Sequence, residues 1–277
     1  MPNKTIEVSS ISPALGAEIS GVNLAEPLGN QAFSEIHNAL MEHQVIFFRD
    51  QKLTLEQHKE FGRRFGELHI HPAMPGPEGH PEILVIHTDE SSKHAAGQAW
   101  HTDVSADEAP PMGSILHLHQ VPEAGGDTMF ASMYAAYEAL SDDMKKFLGG
   151  LKAHHESEHV HSRGYVSRSG GLRDGENVYP AALHPIVRTH PVTGRKGIYV
   201  NSGFTTRVEG LSTKESRAIL DFLFKHIEMP EFHCRFRWRN NSIAFWDNRC
   251  VQHRALWDYR PHVRSGHRVT VKGDRPI

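Results

Sequence analysis

Histidine is the place to start: the 277-residue chain carries 22, and neutral imidazole is both the commonest protein metal ligand and an acid or base that works near neutral pH. Most of these must be ordinary surface or core side chains. One stands apart by its neighbour. Trp100-His101-Thr102-Asp103 sets an imidazole and a carboxylate at i and i+2, which on an extended strand point to the same side and can reach one ion. A His-x-Asp alone is weak. It gains from the stretch Ile243–His253, where an apolar run enters a turn and ends on a histidine. Two histidines and one carboxylate form a face with open positions, the arrangement associated with non-haem Fe(II) oxygenases. Beyond His253 come Arg264 and, on the same face of a predicted strand, Arg268. A guanidinium is a fixed positive fork that takes a carboxylate bidentately.

Other histidines offer a competing chemistry. His69 with His71, His117 with His119, and His159 with His161 each form a His-x-His pair able to hold zinc on a strand face. A mononuclear zinc hydrolase therefore stays open, as does a non-enzymatic, cupin-like binding protein. Most strand histidines, however, only hydrogen-bond.

The elements that must position these residues are short. Helices are predicted from about Gln31 to His43, from Thr54 with Gln57 as a capping box, from Tyr134 to Leu148 with a break at Ser141 and a stop at Gly149-Gly150, and from Ser212 with Glu215 as a second capping box. Ile219, Phe222, Leu223 and Ile227 form the apolar face of the last. Strand-prone runs lie at Val45–Phe48, Ile83–His87, Ser114–His119, Gly197–Asn201, Cys234–Trp238, Ile243–Asp247 and Arg268–Lys272. Many short strands between Gly, Pro and Asn turns imply a mainly β sandwich or barrel with flanking helices. No linker divides the chain, so residues 1–277 read as one domain. His155–Ala181 lacks a period and reads as a long loop or lid.

Composition narrows the class. A hydrophobic share of 38% allows a sizeable core. A net charge of -3 and a pI near 6.7 argue against a nucleic-acid partner. Two cysteines, Cys234 and Cys250, give no disulfide framework or metal knuckle. The first residues lack the apolar core of a signal peptide, and no apolar run approaches a membrane span. The expectation is a soluble cytoplasmic protein with no membrane partner.

Several longer segments then carry a resemblance. They are Leu15-Gly16-Ala17-Glu18-Ile19-Ser20-Gly21-Val22, Phe65-Gly66-Glu67-Leu68-His69-Ile70-His71-Pro72, Trp100-His101-Thr102-Asp103, Gly125-Gly126-Asp127-Thr128 and Trp246-Asp247-Asn248-Arg249. His184-Pro185, Arg188-Thr189-His190-Pro191 and the stretch from Asn201 to Arg207 add to them. Over nearly its whole length the sequence resembles the taurine dioxygenase/2,4-dichlorophenoxyacetate dioxygenase (TauD/TfdA) family.

The resemblance implies a double-stranded β-helix, or jelly roll. It implies Fe(II) on His101, Asp103 and His253, and O2 and 2-oxoglutarate as co-substrates, with the distal carboxylate of 2-oxoglutarate on Arg264 assisted by the Thr128 hydroxyl. Related halogenases lack the carboxylate ligand, so Asp103 implies hydroxylation with release of succinate and CO2. Arg268 matches a sulfonate-gripping arginine, Phe204 an aromatic lining residue and His71 a substrate-contacting histidine. These imply a small anionic organic substrate: a sulfonate such as taurine, an alkyl sulfate or an aryloxyalkanoate-type acid. Met74 stands where taurine dioxygenases have a tyrosine, Gly97 where an asparagine helps to hold the amine, and His161 near a pocket phenylalanine, which counts against taurine itself. Members are commonly dimers or tetramers, which implies a homodimer or homotetramer here.

Overall fold

The run Val45-Ile46-Phe47-Phe48 has no polar position, which suits a strand buried on both faces. In the computed structural model, which describes residues 5–71, 74, 76–160 and 179–277, it is such a strand. His161 and most of the stretch read as a lid lie outside the described residues. β3 (Val45–Phe48) runs parallel to β2 (Ala17–Ser20) and antiparallel to β13 (Ser242–Asp247). They belong to a seven-stranded sheet of order β1-β2-β3-β13-β5-β15-β4. Its other strands are β1 (Glu7–Ser10), β4 (Ile83–Thr88), β5 (Gly113–Gln120) and β15 (Arg264–Val271).

Alternate side chains of this sheet serve two cores. On one face Ile46, Phe48, Ile115, Phe245 and Val269 cluster with Ile36 and Leu40 of α1 (Asn30–His43) and Phe61 of α2 (Leu55–Arg63). On the other, Val45, Phe47, Leu116, Ala244 and Trp246 meet Phe130, Cys234, Phe236 and Val251. The latter come from a three-stranded sheet of order β12-β6-β14, made of β12 (His233–Phe236), β6 (Thr128–Ser132) and β14 (Val251–Ala255). Two sheets thus face each other, and the arginines of β15 and the histidine of β14 project between them. Elsewhere β7 (Lys152–Glu156) pairs with β8 (Ala181–Pro185) and β11 (Thr205–Val208), and β9 (Val187–Thr189) with β10 (Lys196–Ile198). The other helices among the described residues are α3 (Met133–Glu138), α4 (Asp142–Leu148), the single turn α5 (Glu158–Val160), α6 (Thr213–Ile227) and a 3-10 turn at Pro230–Phe232.

Helix starts follow the expected chemistry. Thr54 with Gln57 and Ser212 with Glu215 both close complete capping boxes, and Ser141 caps α4 after the break from α3. Three details differ. Phe222 is exposed and stacks on His226, because the buried stripe of α6 runs through Ser216, Leu220, Leu223 and Ile227. The strand expected over Gly197–Asn201 ends at Ile198. His155, expected in a long loop, is buried on β7 and donates to or accepts from the Ser105 hydroxyl at 3.0 Å.

Buried imidazoles carry a stability consequence. Burial, followed by the neighbouring His117, pulls His58 down to about 3, and burial with His184 pulls His155 down to about 3. His117 falls to about 4 by burial, His119 and His267. The unfolded chain protonates these groups near pH 6.5, so below that pH it binds protons that the folded chain refuses. Their stabilisation is full above pH 6.5 and is lost as pH falls towards 3 to 4, each contributing a slope of up to about 1.4 kcal/mol per pH unit. The melting temperature is expected to drop steeply between pH 6.5 and 4.5, and His58→Gln to flatten that drop. A melting temperature constant across this range would contradict it.

Candidate active site

His101 and Asp103 do not sit on a strand ladder as the i, i+2 spacing suggested. His101 makes one isolated bridge to His253 of β14, its N–H donating to the His253 carbonyl at 3.1 Å and its own carbonyl accepting from His253 at 2.9 Å. The chain then leaves extended geometry, reaching a positive φ of 50° at Val104. The two imidazoles lie 4.2 Å apart, centroid to centroid, and the ligand atoms of His101, Asp103 and His253 all fall within 4.8 Å of one another.

The donor set suits a divalent transition metal. His101 Nδ1 lies 2.9 Å from the Ala99 carbonyl, so in the neutral ring that nitrogen carries the proton and Nε2 keeps its lone pair, the usual arrangement of a ligating histidine. This Nε2 faces Asp103 Oδ1 at 3.8 Å, and His253 Nε2 faces Oδ2 at 4.0 Å. Burial pulls both histidines below their ordinary value, His253 far below. Both rings are therefore neutral at physiological pH, and no proton competes for the lone pairs. Burial by itself would raise Asp103, but the Arg268 guanidinium, with the Ser114 hydroxyl, holds the carboxyl below the usual range. Buried His253 Nδ1 has no hydrogen-bond partner among the described residues. Two imidazole nitrogens and one carboxylate oxygen match the 2-His-1-carboxylate set of mononuclear iron sites.

Glycine makes room for His101. A Cβ on Gly97 would sit 2.9 Å from His101 Cε1, and one on Gly203 would sit 2.9 Å from His101 Cβ. Gly97 also holds φ at +78°. Its lack of a side chain lets the imidazole lie where it does.

Arg264 supplies a second feature. It is 5% exposed, donates from Nε to the Gly126 carbonyl at 3.0 Å and from Nη2 to Thr128 Oγ1 at 3.3 Å. Among the described residues no carboxylate lies within 4.0 Å of it: the nearby Asp127 instead pairs with Arg235 at 2.7 Å. Trp238 Nε1 also donates to Thr128 Oγ1, at 3.0 Å. Both acceptor positions of that hydroxyl are therefore filled, which leaves its O–H as a donor. A buried cation and a hydroxyl proton with no anion to meet are costly unless an acidic ligand arrives. Gly126, at φ +71°, admits the arginine, since a Cβ there would stand 3.3 Å from Arg264 Cδ.

A cavity of about 330 Å³ joins these parts. His71, Met74, Gly97, Phe204, Arg264, Arg268 and Thr128 all line it beside His101, Asp103 and His253, so the described residues expected to hold metal, co-substrate or substrate come together, while His69, His117 and His119 do not line it. His71 Nδ1 accepts from the Met74 N–H at 3.1 Å, which puts the proton of the neutral ring on Nε2. Arg268 donates from Nη1 to Asp103 Oδ1. Leu84 and Ile86 of β4 and Leu116 of β5 supply apolar wall that sequence reading missed. Their signal was the alternation of those strands, but which face met the cavity depended on pairing.

Among the described residues, neither His69 with His71 nor His117 with His119 forms a metal group. One other cluster, His190 with Asp247 and Cys250, has suitable spacing but no lone pairs to offer. Asp247 accepts from Arg249 on both oxygens and from His190 Nε2 at 3.0 Å, while His190 Nδ1 accepts from the backbone of Val192 and Thr193. The Cys250 thiol is pushed well above its ordinary value by burial and by Asp247. The cluster anchors the turn after β13.

Comparison with known proteins places this cavity in company. The family model for taurine catabolism dioxygenase TauD, TfdA matches residues 7–270. The chain is 33% identical to an alpha-ketoglutarate-dependent sulfonate dioxygenase of Saccharomyces cerevisiae, over 98% of this chain and 68% of that protein. It is likewise 33% identical to an alkylsulfatase of Acinetobacter baylyi, over 99% of this chain and 87% of the other. A crystal structure of a taurine dioxygenase from Burkholderia xenovorans superposes with a TM-score of 0.85 at 36% identity, covering 99% of this chain and 91% of that one.

Proposed function

The chain belongs to the TauD/TfdA family of dioxygenases, and from that membership we propose how its cavity works. It is a 2-oxoglutarate-dependent oxidoreductase acting on small anionic organic molecules. In our reading residues 1–277 are one domain, the two facing sheets are a double-stranded β-helix, and the enzyme is a cytoplasmic homodimer or homotetramer. No helix among the described residues is long and apolar enough to cross a membrane.

His101, Asp103 and His253 would hold Fe(II), and Arg264 with Thr128 would hold the distal carboxylate of 2-oxoglutarate. Iron and 2-oxoglutarate, once bound, supply the chemistry that puts one atom of O2 into the substrate and the other into succinate, with loss of CO2. The protein's part is orientation and water exclusion. Neutral His101 and His253 offer lone pairs without losing protons. The Arg264 fork and the Thr128 hydroxyl fix one end of the co-substrate and so aim its other end at the three ligands. Arg268, with His71 donating from Nε2, would take the anionic group of the substrate. Leu84, Ile86, Phe204 and Met74 would pack its carbon skeleton. The observation that carries this reading is Arg264: a buried guanidinium without a carboxylate partner among the described residues, in the same cavity as a His-Asp-His set.

Met74 and Gly97 provide no polar partner side chain for an amine, and a thioether is adaptable and apolar. We therefore expect taurine to be a poorer substrate than an alkyl sulfate, a longer sulfonate or an aryloxyalkanoate. The test is anaerobic addition of Fe(II) and 2-oxoglutarate, which should give a weak visible charge-transfer band. Succinate formation in air should then rise several-fold with one of those anions and less with taurine. No response to any anion would remove the substrate assignment. Absence of the band together with tight zinc binding would favour a hydrolase.

A further inference from the structure

We propose that Ser114 and Asn248, started by Trp246, form a directional hydrogen-bond relay that positions the Asp103 carboxylate for metal binding. This rests on reading His101, Asp103 and His253 as the ligands. The relay is built from two strands and a turn. Ser114 lies on β5 opposite Trp246 of β13, and Asn248 follows β13 with its backbone N–H tied to the Met112 carbonyl at 2.9 Å.

Its direction follows from the groups themselves. An indole N–H can only donate, and Trp246 Nε1 donates to Asn248 Oδ1 at 2.9 Å. That fixes which way the amide faces, so Nδ2 is the atom 3.1 Å from Ser114 Oγ and must donate to it. The serine hydroxyl then gives its one proton to Asp103 Oδ2 at 2.7 Å. Trp246 and Asn248 are each 1% exposed, Ser114 0% and Asp103 3%, so no solvent competes and each bond polarises the next.

The two carboxylate oxygens are held in different ways. Oδ1 is held by Arg268, the side chain we assign to the substrate anion, whereas Oδ2 is held by a neutral, fully buried donor that has no other task. A substrate that draws Arg268 away leaves Oδ2 anchored. A buried serine and asparagine that only satisfied one another would not need to end on a metal ligand.

The test is isothermal titration of the full chain with Mn(II). Ser114→Ala is expected to weaken binding about 10- to 100-fold, the usual loss for an outer partner of a metal ligand. Asn248→Asp should weaken it in the same direction, because a carboxylate there accepts the serine proton and withdraws it from Asp103. The double variant should bind no more weakly than Ser114→Ala, since both act through one bond. Thermal melts confirm that each variant is folded, and Asn248→Asp stands alone if Ser114→Ala is not. Dissociation constants within twofold of wild type, or losses that multiply in the double variant, would overturn the relay. If Asp103→Ala itself binds Mn(II) as wild type does, the ligand set is wrong instead.

Discussion

Asp103→Ala is expected to lower 2-oxoglutarate turnover by on the order of 10³-fold or more, the scale of losing about 4 kcal/mol of metal-centred stabilisation. Three separate effects converge on this carboxylate. It faces both imidazoles, at 3.8 and 4.0 Å, so its loss reduces a three-ligand face to two. It also balances Arg268, so the variant leaves a cation beside two neutral histidines and repels an incoming metal ion. Finally it terminates the chain of donors from Trp246. Succinate formation in halide-free buffer and Mn(II) titration check the two halves of the expectation separately. Turnover within twofold of wild type would end the case for the ligand set.

Arg264→Met should act on the other end of the cavity. Truncating one partner of a buried, hydrogen-bonded charge pair costs about 2–5 kcal/mol, which corresponds to on the order of 30- to 5,000-fold in affinity. The loss should show in the KM for 2-oxoglutarate, with the KM for substrate changed much less. Arg264→Lys should recover little, because an ammonium cannot reach the Gly126 carbonyl, Thr128 and a carboxylate from one planar fork. A KM for 2-oxoglutarate within threefold of wild type in Arg264→Met would move the co-substrate elsewhere in the cavity. The Mn(II) affinity of this variant should match wild type, which separates its effect from that of Asp103→Ala.

Local chemistry was legible where it was local. Thr54 with Gln57 and Ser212 with Glu215 are helix starts that depend on residues three apart, and the wholly apolar Val45–Phe48 run, with β-branched Val45 and Ile46, suits an inside strand. The His-x-Asp pair is legible from its spacing, but extended-strand geometry is not what the structure shows there. Strand spacing suits the pair, yet His101 makes only one isolated bridge, to His253, and the chain turns immediately after Asp103. Phe222 was misassigned because a helix periodicity tolerates a shift of one position when both candidates are apolar. Ser114 and Asn248 were out of reach altogether. Asn248 stands in a segment that carries the resemblance, but its link through Ser114 to Asp103 exists only once β5 pairs with β13.

The bridge between His101 and His253 also dictates when the centre can exist. Its two halves lie more than half the chain apart in sequence and are joined by reciprocal backbone hydrogen bonds. A nascent chain that has exposed His101 and Asp103 but not yet β14 has only a loose pair of ligands. On the reading of these residues as ligands, the three-ligand face forms only after β14 has been made and has paired with His101.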